Sequence, residues 1–244
     1  MPNLLILGAS SDIAEATAQK FASAGYNIFL AGRNTNGLQT LAADIAIRHS
    51  VHSGVLFFDA LDYFSHVPFV QNLSFDPDVV LIAFGYLGNQ ELAQNNWTET
   101  HLIIGSNYTG AVSITNAVSG LLEVKQNGVI VGISSIAGIR GKKNNYIYGS
   151  AKAGYTAYLS GLRNRLYNAN VHVISVLPGY VETKMTSGMK LPAPLTAKPS
   201  AVAADIYKAV VKRKNIIYTK PLWRYIMLII KNIPESIYKK LSIG

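Results

Sequence analysis

Tyr148 and Lys152 stand four residues apart in Tyr148-Gly149-Ser150-Ala151-Lys152, and Ser135 ends an apolar run thirteen residues upstream of the tyrosine. Side chains at i and i+4 of a helix lie one above the other, so a helix through this segment stacks an ammonium beside a phenol. That is proton-delivery chemistry for a carbonyl. The tyrosine is the acid, the lysine tunes it, and Ser135 donates a hydrogen bond to the same substrate oxygen. An unperturbed phenol titrates near ~10. Bringing it to about 7 takes ~4 kcal/mol of preferential phenolate stabilisation, which the ammonium in a partly dry site is expected to supply. The spacing alone is common on surface helices, so the elements that carry it decide its meaning.

Short apolar, β-rich runs alternate with longer helical patterns, the sequence form of βαβ units around a parallel sheet. Strands are expected at 3–7, 27–31, 54–58, 78–83, 128–134, 171–176 and 215–219, and the clearest helices at 12–24, 36–49, 98–122 and 147–168. This predicts an α/β chain with a seven-stranded parallel sheet and helices on both faces. At 244 residues it suits one sizeable domain or two small ones. Residues 185–200, with Pro192, Pro194 and Pro199, break the pattern as a loop does.

Between the first strand and first helix lies Gly8-Ala9-Ser10-Ser11-Asp12-Ile13-Ala14, a turn that lets backbone N–H groups and a helix N-terminus approach a pyrophosphate. Arg33 directly follows the second strand. An acidic residue there accepts ribose hydroxyls and repels a 2′-phosphate, whereas a guanidinium does the reverse, so the reading is NADP(H).

Cysteine is absent, which excludes a disulfide framework and thiolate chemistry, and the five histidines show no ligand spacing, so no metal is expected. Residues 1–10 read as neither a signal peptide nor a membrane span. The formal net charge of +9 is concentrated in the tail: residues 212–244 carry eight lysines and arginines against Glu235 alone, +7 of the total. The remainder carries no basic stripe for phosphate tracking, and no nucleic-acid partner is expected. Residues 220–244 mix Leu222, Trp223, Tyr225, Ile226, Met227, Leu228, Ile229 and Ile230 with Arg224, Lys231, Lys239 and Lys240. This short amphipathic tail is expected either to lie on an anionic membrane surface or to pack on protein.

With these residues assembled, the chain resembles the short-chain dehydrogenase/reductase family over nearly its whole length. The resemblance implies a Rossmann-type, doubly wound catalytic domain over residues 1–219, with a substrate loop at 185–199, and direct hydride transfer from NADP(H) to a carbonyl carbon. It implies catalytic roles for Asn107, Ser135, Tyr148 and Lys152, with Asn107 supporting a water relay and Lys152 also holding the nicotinamide ribose. The cofactor contacts it implies are Gly8, Ser10, Ser11, Asp12, Ile13, Arg33, Asp59, Ala60, Ala83, Gly85, Tyr148, Lys152, Pro178, Gly179, Val181 and Thr183. Asp59-Ala60 matches the adenine-contacting pair, and Val181 and Thr183 the carboxamide contacts; Ser10 and Arg33 would hold the 2′-phosphate.

Two departures stand out. Asp12 and Ala14 replace glycines of the turn, and Asp12 is expected to act as a helix N-cap. Ile82-Ala83-Phe84-Gly85 replaces a more polar stretch. Arg140-Gly141-Lys142-Lys143 and Ala83-Phe84-Gly85-Tyr86-Leu87-Gly88 resemble a branch of bacterial keto-sugar reductases that includes decaprenylphosphoryl 2-keto-pentose reductase.

The expectation is therefore a carbonyl reductase acting on a small-molecule or lipid-linked keto-sugar, cytoplasmic and peripheral on the inner face of the membrane. It is expected to form a homo-oligomer in which the helices at 98–122 and 147–168 pair between subunits. Two alternatives stay open: reduction of a soluble ketone, steroid or 3-oxoacyl group, and a non-catalytic NADP-binding interaction protein.

Overall fold

The structure is a computed structural model that describes residues 1–241; the last three residues of the expected tail lie outside the described residues. Seven strands form one parallel sheet: β1 (Asn3–Leu7), β2 (Asn27–Gly32), β3 (Ser53–Phe57), β4 (Val79–Ile82), β5 (Gly128–Ile133), β6 (Val171–Pro178) and β9 (Ile216–Thr219). Their order is β3-β2-β1-β4-β5-β6-β9, while β7 (Tyr180–Val181) and β8 (Thr196–Ala197) pair separately. The helices are α1 (Asp12–Ala22), α2 (Thr35–His49), α3 (His66–Gln71), α4 (Gln90–Ala93), α5 (Trp97–Ile104), α6 (Gly110–Lys125), α7 (Tyr146–Arg165), α8 (Pro199–Val211), α9 (Leu222–Asn232) and α10 (Glu235–Tyr238).

Successive strand side chains point to opposite faces, and β1 shows the result. Leu4 and Ile6 pack with Ala14, Ala18 and Phe21 of α1, Leu38 and Ile45 of α2, and Val202 and Ile206 of α8. Leu5 and Leu7 pack on the other face with Ile114, Val118 and Leu122 of α6 and Tyr155 and Leu159 of α7. Each such buried leucine or isoleucine contributes about 1.5–3 kcal/mol relative to exposure. Strands run outward from β1 in both directions, so a crevice opens beyond the carboxyl ends of β1 and β4, where the winding reverses.

The helix expected at 98–122 starts at Trp97 and reaches Lys125, but a π turn, Gly105–Thr109, divides it into α5 and α6. Asn107 explains the irregularity. Its Nδ2–H donates to the Ile103 carbonyl at 2.8 Å, the acceptor that a regular helix reserves for the backbone N–H at that position.

The tail divides its apolar surface between two faces. Trp223 and Met227 of α9 are buried against Ile136 and Leu177, whereas Leu222, Tyr225, Leu228 and Ile229 face outward. Arg140 fastens α9 and α10 to the domain: it donates to the Lys231 carbonyl at 2.9 Å, pairs with Glu235 at 2.6 Å and lies 4.1 Å over the Tyr238 ring. Among the described residues, no helix is long and apolar enough to cross a membrane.

Candidate active site

The crevice holds a cavity of about 630 Å³. The turn that leads to it begins at Gly8, whose φ is +84°; a Cβ there would lie 2.6 Å from the Phe84 backbone nitrogen. Only glycine takes this conformation freely while passing so close to the exit of β4. Ser10, Ser11, Asp12 and Ile13 then line the cavity.

The expected N-cap is corrected. Ser11 caps α1, its hydroxyl accepting the Ala14 N–H at 3.2 Å from an extended backbone. Its short side chain reaches the third N–H, which leaves Asp12 as the first helical residue. The Asp12 carboxylate crosses the cleft instead, accepting the Lys184 N–H at 2.7 Å with the Lys184 ammonium 3.8 Å away. Both contacts engage the carboxylate with Lys184, although Asp12 remains in the first turn of α1 and in the cavity lining.

Ser135 lies two residues beyond β5 in an extended conformation, its hydroxyl accepting the Ala137 N–H at 3.1 Å. Tyr148 and Lys152 occupy the first two turns of α7, and all three residues line the cavity. The expected tuning of the phenol is also corrected. Burial pushes the Tyr148 hydroxyl up to about 12, with a hydrogen bond from Ser135 opposing it, and Lys152 does not lower it. The Lys152 ammonium donates to the Ile133 carbonyl at 3.0 Å and sits 5.8 Å from the centre of the Tyr148 ring, beside its face rather than at its hydroxyl. Burial draws Lys152 itself down to about 8. Desolvation therefore dominates both groups, moving each toward its neutral form.

Asn107 lies fully buried behind the wall. Besides Ile103, it donates to the Tyr86 carbonyl at 2.5 Å, and its Oδ1 accepts the Tyr86 N–H at 3.3 Å. A Cβ on Gly85 would fall 2.8 Å from that Oδ1 and 3.4 Å from the Lys152 Nζ, so the amide and ammonium converge on one point. Ala83, Gly85, Pro178, Gly179, Val181 and Thr183 also line the cavity. The Thr183 hydroxyl lies 3.3 Å from that of Thr186, within a tight 3₁₀ turn. Gly179 is held from behind: a side chain there would collide with the Trp223 indole, whose N–H donates to the Leu195 carbonyl at 3.0 Å.

Gly8, Arg33, Asp59 and Ala60 do not line this cavity; Gly8 follows β1, and the other three follow the carboxyl ends of β2 and β3, farther along the same sheet edge. Arg33 is exposed. The Asp59 carboxylate accepts the Leu61 N–H at 3.0 Å, and its carbonyl lies 3.0 Å from His66 Nε2. Gln90, Lys142, Asn144, Asn145 and Lys184, outside the site residues expected from sequence, join the wall, as does Lys190 of the expected 185–199 substrate loop. Gln90 belongs here because its Oε1 accepts the Ile147 N–H at 3.0 Å, joining α4 to the start of α7. No local pattern announces such a contact between distant segments. Among the described residues, no group of three or more histidine, aspartate or glutamate side chains is gathered to hold a metal.

The short chain dehydrogenase family profile matches residues 2–192. An uncharacterized oxidoreductase of Mycobacterium tuberculosis is 32% identical over 241 residues, 98% of this chain and 96% of that protein. Sulfoacetaldehyde reductase 2 of Chromohalobacter salexigens is 32% identical over 191 residues, 75% of this chain and 74% of that one. A short-chain dehydrogenase of Sphingobium yanoikuyae solved with NADPH superimposes with a TM-score of 0.83 at 21% identity, covering 97% of this chain and 98% of that one. The match over most of the chain and the end-to-end likeness to the mycobacterial protein make this chain an oxidoreductase of the short-chain dehydrogenase family.

Proposed function

We propose that the chain is an NADPH-dependent carbonyl reductase, reversible as an alcohol dehydrogenase, with Ser135, Tyr148 and Lys152 as its catalytic residues and Asn107 as a positioning residue. The observation that carries this reading is the convergence of the trio on one cavity at the reversal point of a parallel sheet. The residues fit a nicotinamide dinucleotide. The Gly8 turn leads into the N-terminus of α1, Asp12 is engaged by Lys184, and the exposed Arg33 stands at the end of β2, where a 2′-phosphate would be met. Gly8, Ser10, Ser11, Ile13, Asp59, Ala60, Ala83, Gly85, Pro178, Gly179, Val181 and Thr183 would complete the binding surface. A bound reduced nicotinamide supplies hydride to the carbonyl carbon.

The protein's own part is the oxygen. Tyr148, neutral well above physiological pH, holds the proton that the carbonyl oxygen takes as it becomes a hydroxyl. Ser135 donates a second hydrogen bond to that oxygen and disperses the developing charge. Lys152, cationic at neutral pH and 5.8 Å from the centre of the Tyr148 ring, would hold the nicotinamide ribose rather than set the resting titration of the phenol. Asn107 fixes the Tyr86 backbone and closes on Gly85, sharing that approach with Lys152.

The proposed substrate is a keto-sugar, lipid-linked at the membrane surface. The branch resemblance supports it, as does the exposed apolar face of α9 beside Arg224, Lys231, Lys239 and Lys240, which suits an anionic lipid surface. The relation to sulfoacetaldehyde reductase favours a second reading, a small soluble carbonyl. Exposed Trp97, Tyr108 and Tyr146 along α5 to α7 support pairing of these helices in a homo-oligomer.

The test is NADPH oxidation across a carbonyl panel. Tyr148→Phe should lower kcat by ~10²-fold or more while cofactor binding is retained. Unchanged turnover would remove Tyr148 as the proton donor.

A further inference from the structure

The cavity is one-sided in charge. Lys142, Lys152, Lys184 and Lys190 line the cavity against a single carboxylate, Asp12. Asp12 is committed to Lys184, and Lys152 to the Ile133 carbonyl. The ammonium groups of Lys142 and Lys190 have neither an ion pair nor a hydrogen bond among the described residues.

Lys142 is half-buried, and burial draws its titration downward. A cation taken from water without a counter-ion raises the free energy of the protein, and the deficit is made good when an anion arrives. Two neighbouring features have the same sense. The twenty-residue helix α7 begins beside Lys142 with no cap from its own N-cap residue and no acidic residue in its first turn, so its positive end meets a neutral amide oxygen, that of Gln90, and no charge of its own. Gln90, whose Oε1 holds the Ile147 N–H, keeps its Nε2 buried with no partner, a spare donor in the same wall that also holds one unmet acceptor, Asn145 Oδ1.

We propose that the substrate carries an anionic group separate from its reacting carbonyl, a carboxylate, sulfonate or phosphate ester, and that Lys142 together with Lys190 grips it. This rests on the carbonyl-reductase reading of the same cavity. Lys142 comes from the turn that leads into α7, and Lys190 from the loop after the 3₁₀ turn at Lys184–Thr186. An anion between them would bridge the two walls while its carbonyl faces Tyr148. Free sugar phosphates and sugars joined to lipid by a phosphodiester share this chemistry.

The experiment uses the full chain, NADPH and three probes: dihydroxyacetone, dihydroxyacetone phosphate and a long-chain alkyl diester of the latter. The anionic probes should exceed the neutral one in kcat/KM by about 10–100-fold, the range expected of a charge-assisted hydrogen bond. Lys142→Gln and Lys190→Gln should each cut that ratio about tenfold, chiefly through KM. Lys143→Gln removes the same charge from an exposed site off the cavity and should leave the ratio as it is. Preference for the diester identifies a lipid-linked anion, and preference for the monoester a soluble one; both support the proposal. Equal use of neutral and anionic probes, or equal ratios for Lys142→Gln and Lys143→Gln, would overturn it.

If none of the probes is reduced, the reductase reading is in question separately, and calorimetric binding decides the present one. Binding of dihydroxyacetone phosphate over dihydroxyacetone that is weakened in Lys142→Gln, and not in Lys143→Gln, upholds it. Binding indifferent to Lys142 overturns it.

Discussion

Replacing Lys152 by methionine should make the cofactor-free protein more stable while abolishing carbonyl reduction. Lys152 is 3% exposed, and burial holds it at about 8. Set against an ordinary lysine value near ~10.4, this amounts to about 3 kcal/mol against the charged form at neutral pH. Methionine keeps the unbranched stem without the charge. It also forfeits the hydrogen bond to the Ile133 carbonyl and leaves that acceptor unmet, offsetting ~1–2 kcal/mol. The net gain is about 1–2 kcal/mol, a rise in Tm of several degrees at ~2–4 °C per kcal/mol.

The pH dependence identifies the cause. The folded-state value of this cation is depressed, so between about 8 and ~10.4 the unfolded chain binds more protons than the folded one. Wild-type stability should therefore climb with pH across that window, by up to ~1.4 kcal/mol per pH unit, and the variant should lack the climb. Urea unfolding followed by circular dichroism at pH 7 and 9.5 measures both. A Lys152→Met protein less stable than wild type at pH 7, or with the same pH slope, would refute the desolvation argument.

Three other outcomes are expected. Arg33→Asp should raise KM for NADPH about tenfold or more with little effect on NADH, and an unchanged ratio in steady-state assays would detach Arg33 from the 2′-phosphate. Trp223→Ala empties a site only 4% exposed and should cost about 3–5 kcal/mol in denaturant unfolding, with weaker cofactor binding because Gly179 loses its support; a loss below ~1 kcal/mol would contradict the packing. The full chain should co-sediment with anionic vesicles, and the paired substitution of exposed Tyr225 and Ile229 by serine should release it without unfolding; equal sedimentation would exclude that face as a lipid contact.

The sheet was legible because a parallel strand buried on both faces is nearly continuous in apolar residues, as Leu4–Leu7 and Val79–Ile82 are. The Tyr148–Lys152 spacing was legible because helical periodicity is local. Asp12 was misassigned because capping is a competition between adjacent residues: Ser11 and Asp12 both have capping side chains, and the winner depends on backbone angles and on Lys184 across the cleft. The sense of the Tyr148 shift was missed for a related reason. Spacing fixes which groups are neighbours, whereas how far each is removed from water depends on the whole fold. Trp223 has the composition of an interfacial residue, and nothing near it in the chain reveals its position behind Gly179.

That position has a consequence for biosynthesis. Trp223 and Met227 follow every strand of the sheet in the chain, yet they brace the segment from Leu177 to Gly179. During synthesis the amino-terminal strands and helices can assemble as they leave the ribosome. The cleft cannot reach its final shape until α9 has emerged and docked. Nascent chains stalled before α9 would present a folded sheet with an unbraced cleft wall, giving quality-control proteases a reason to discriminate between nearly complete and complete molecules.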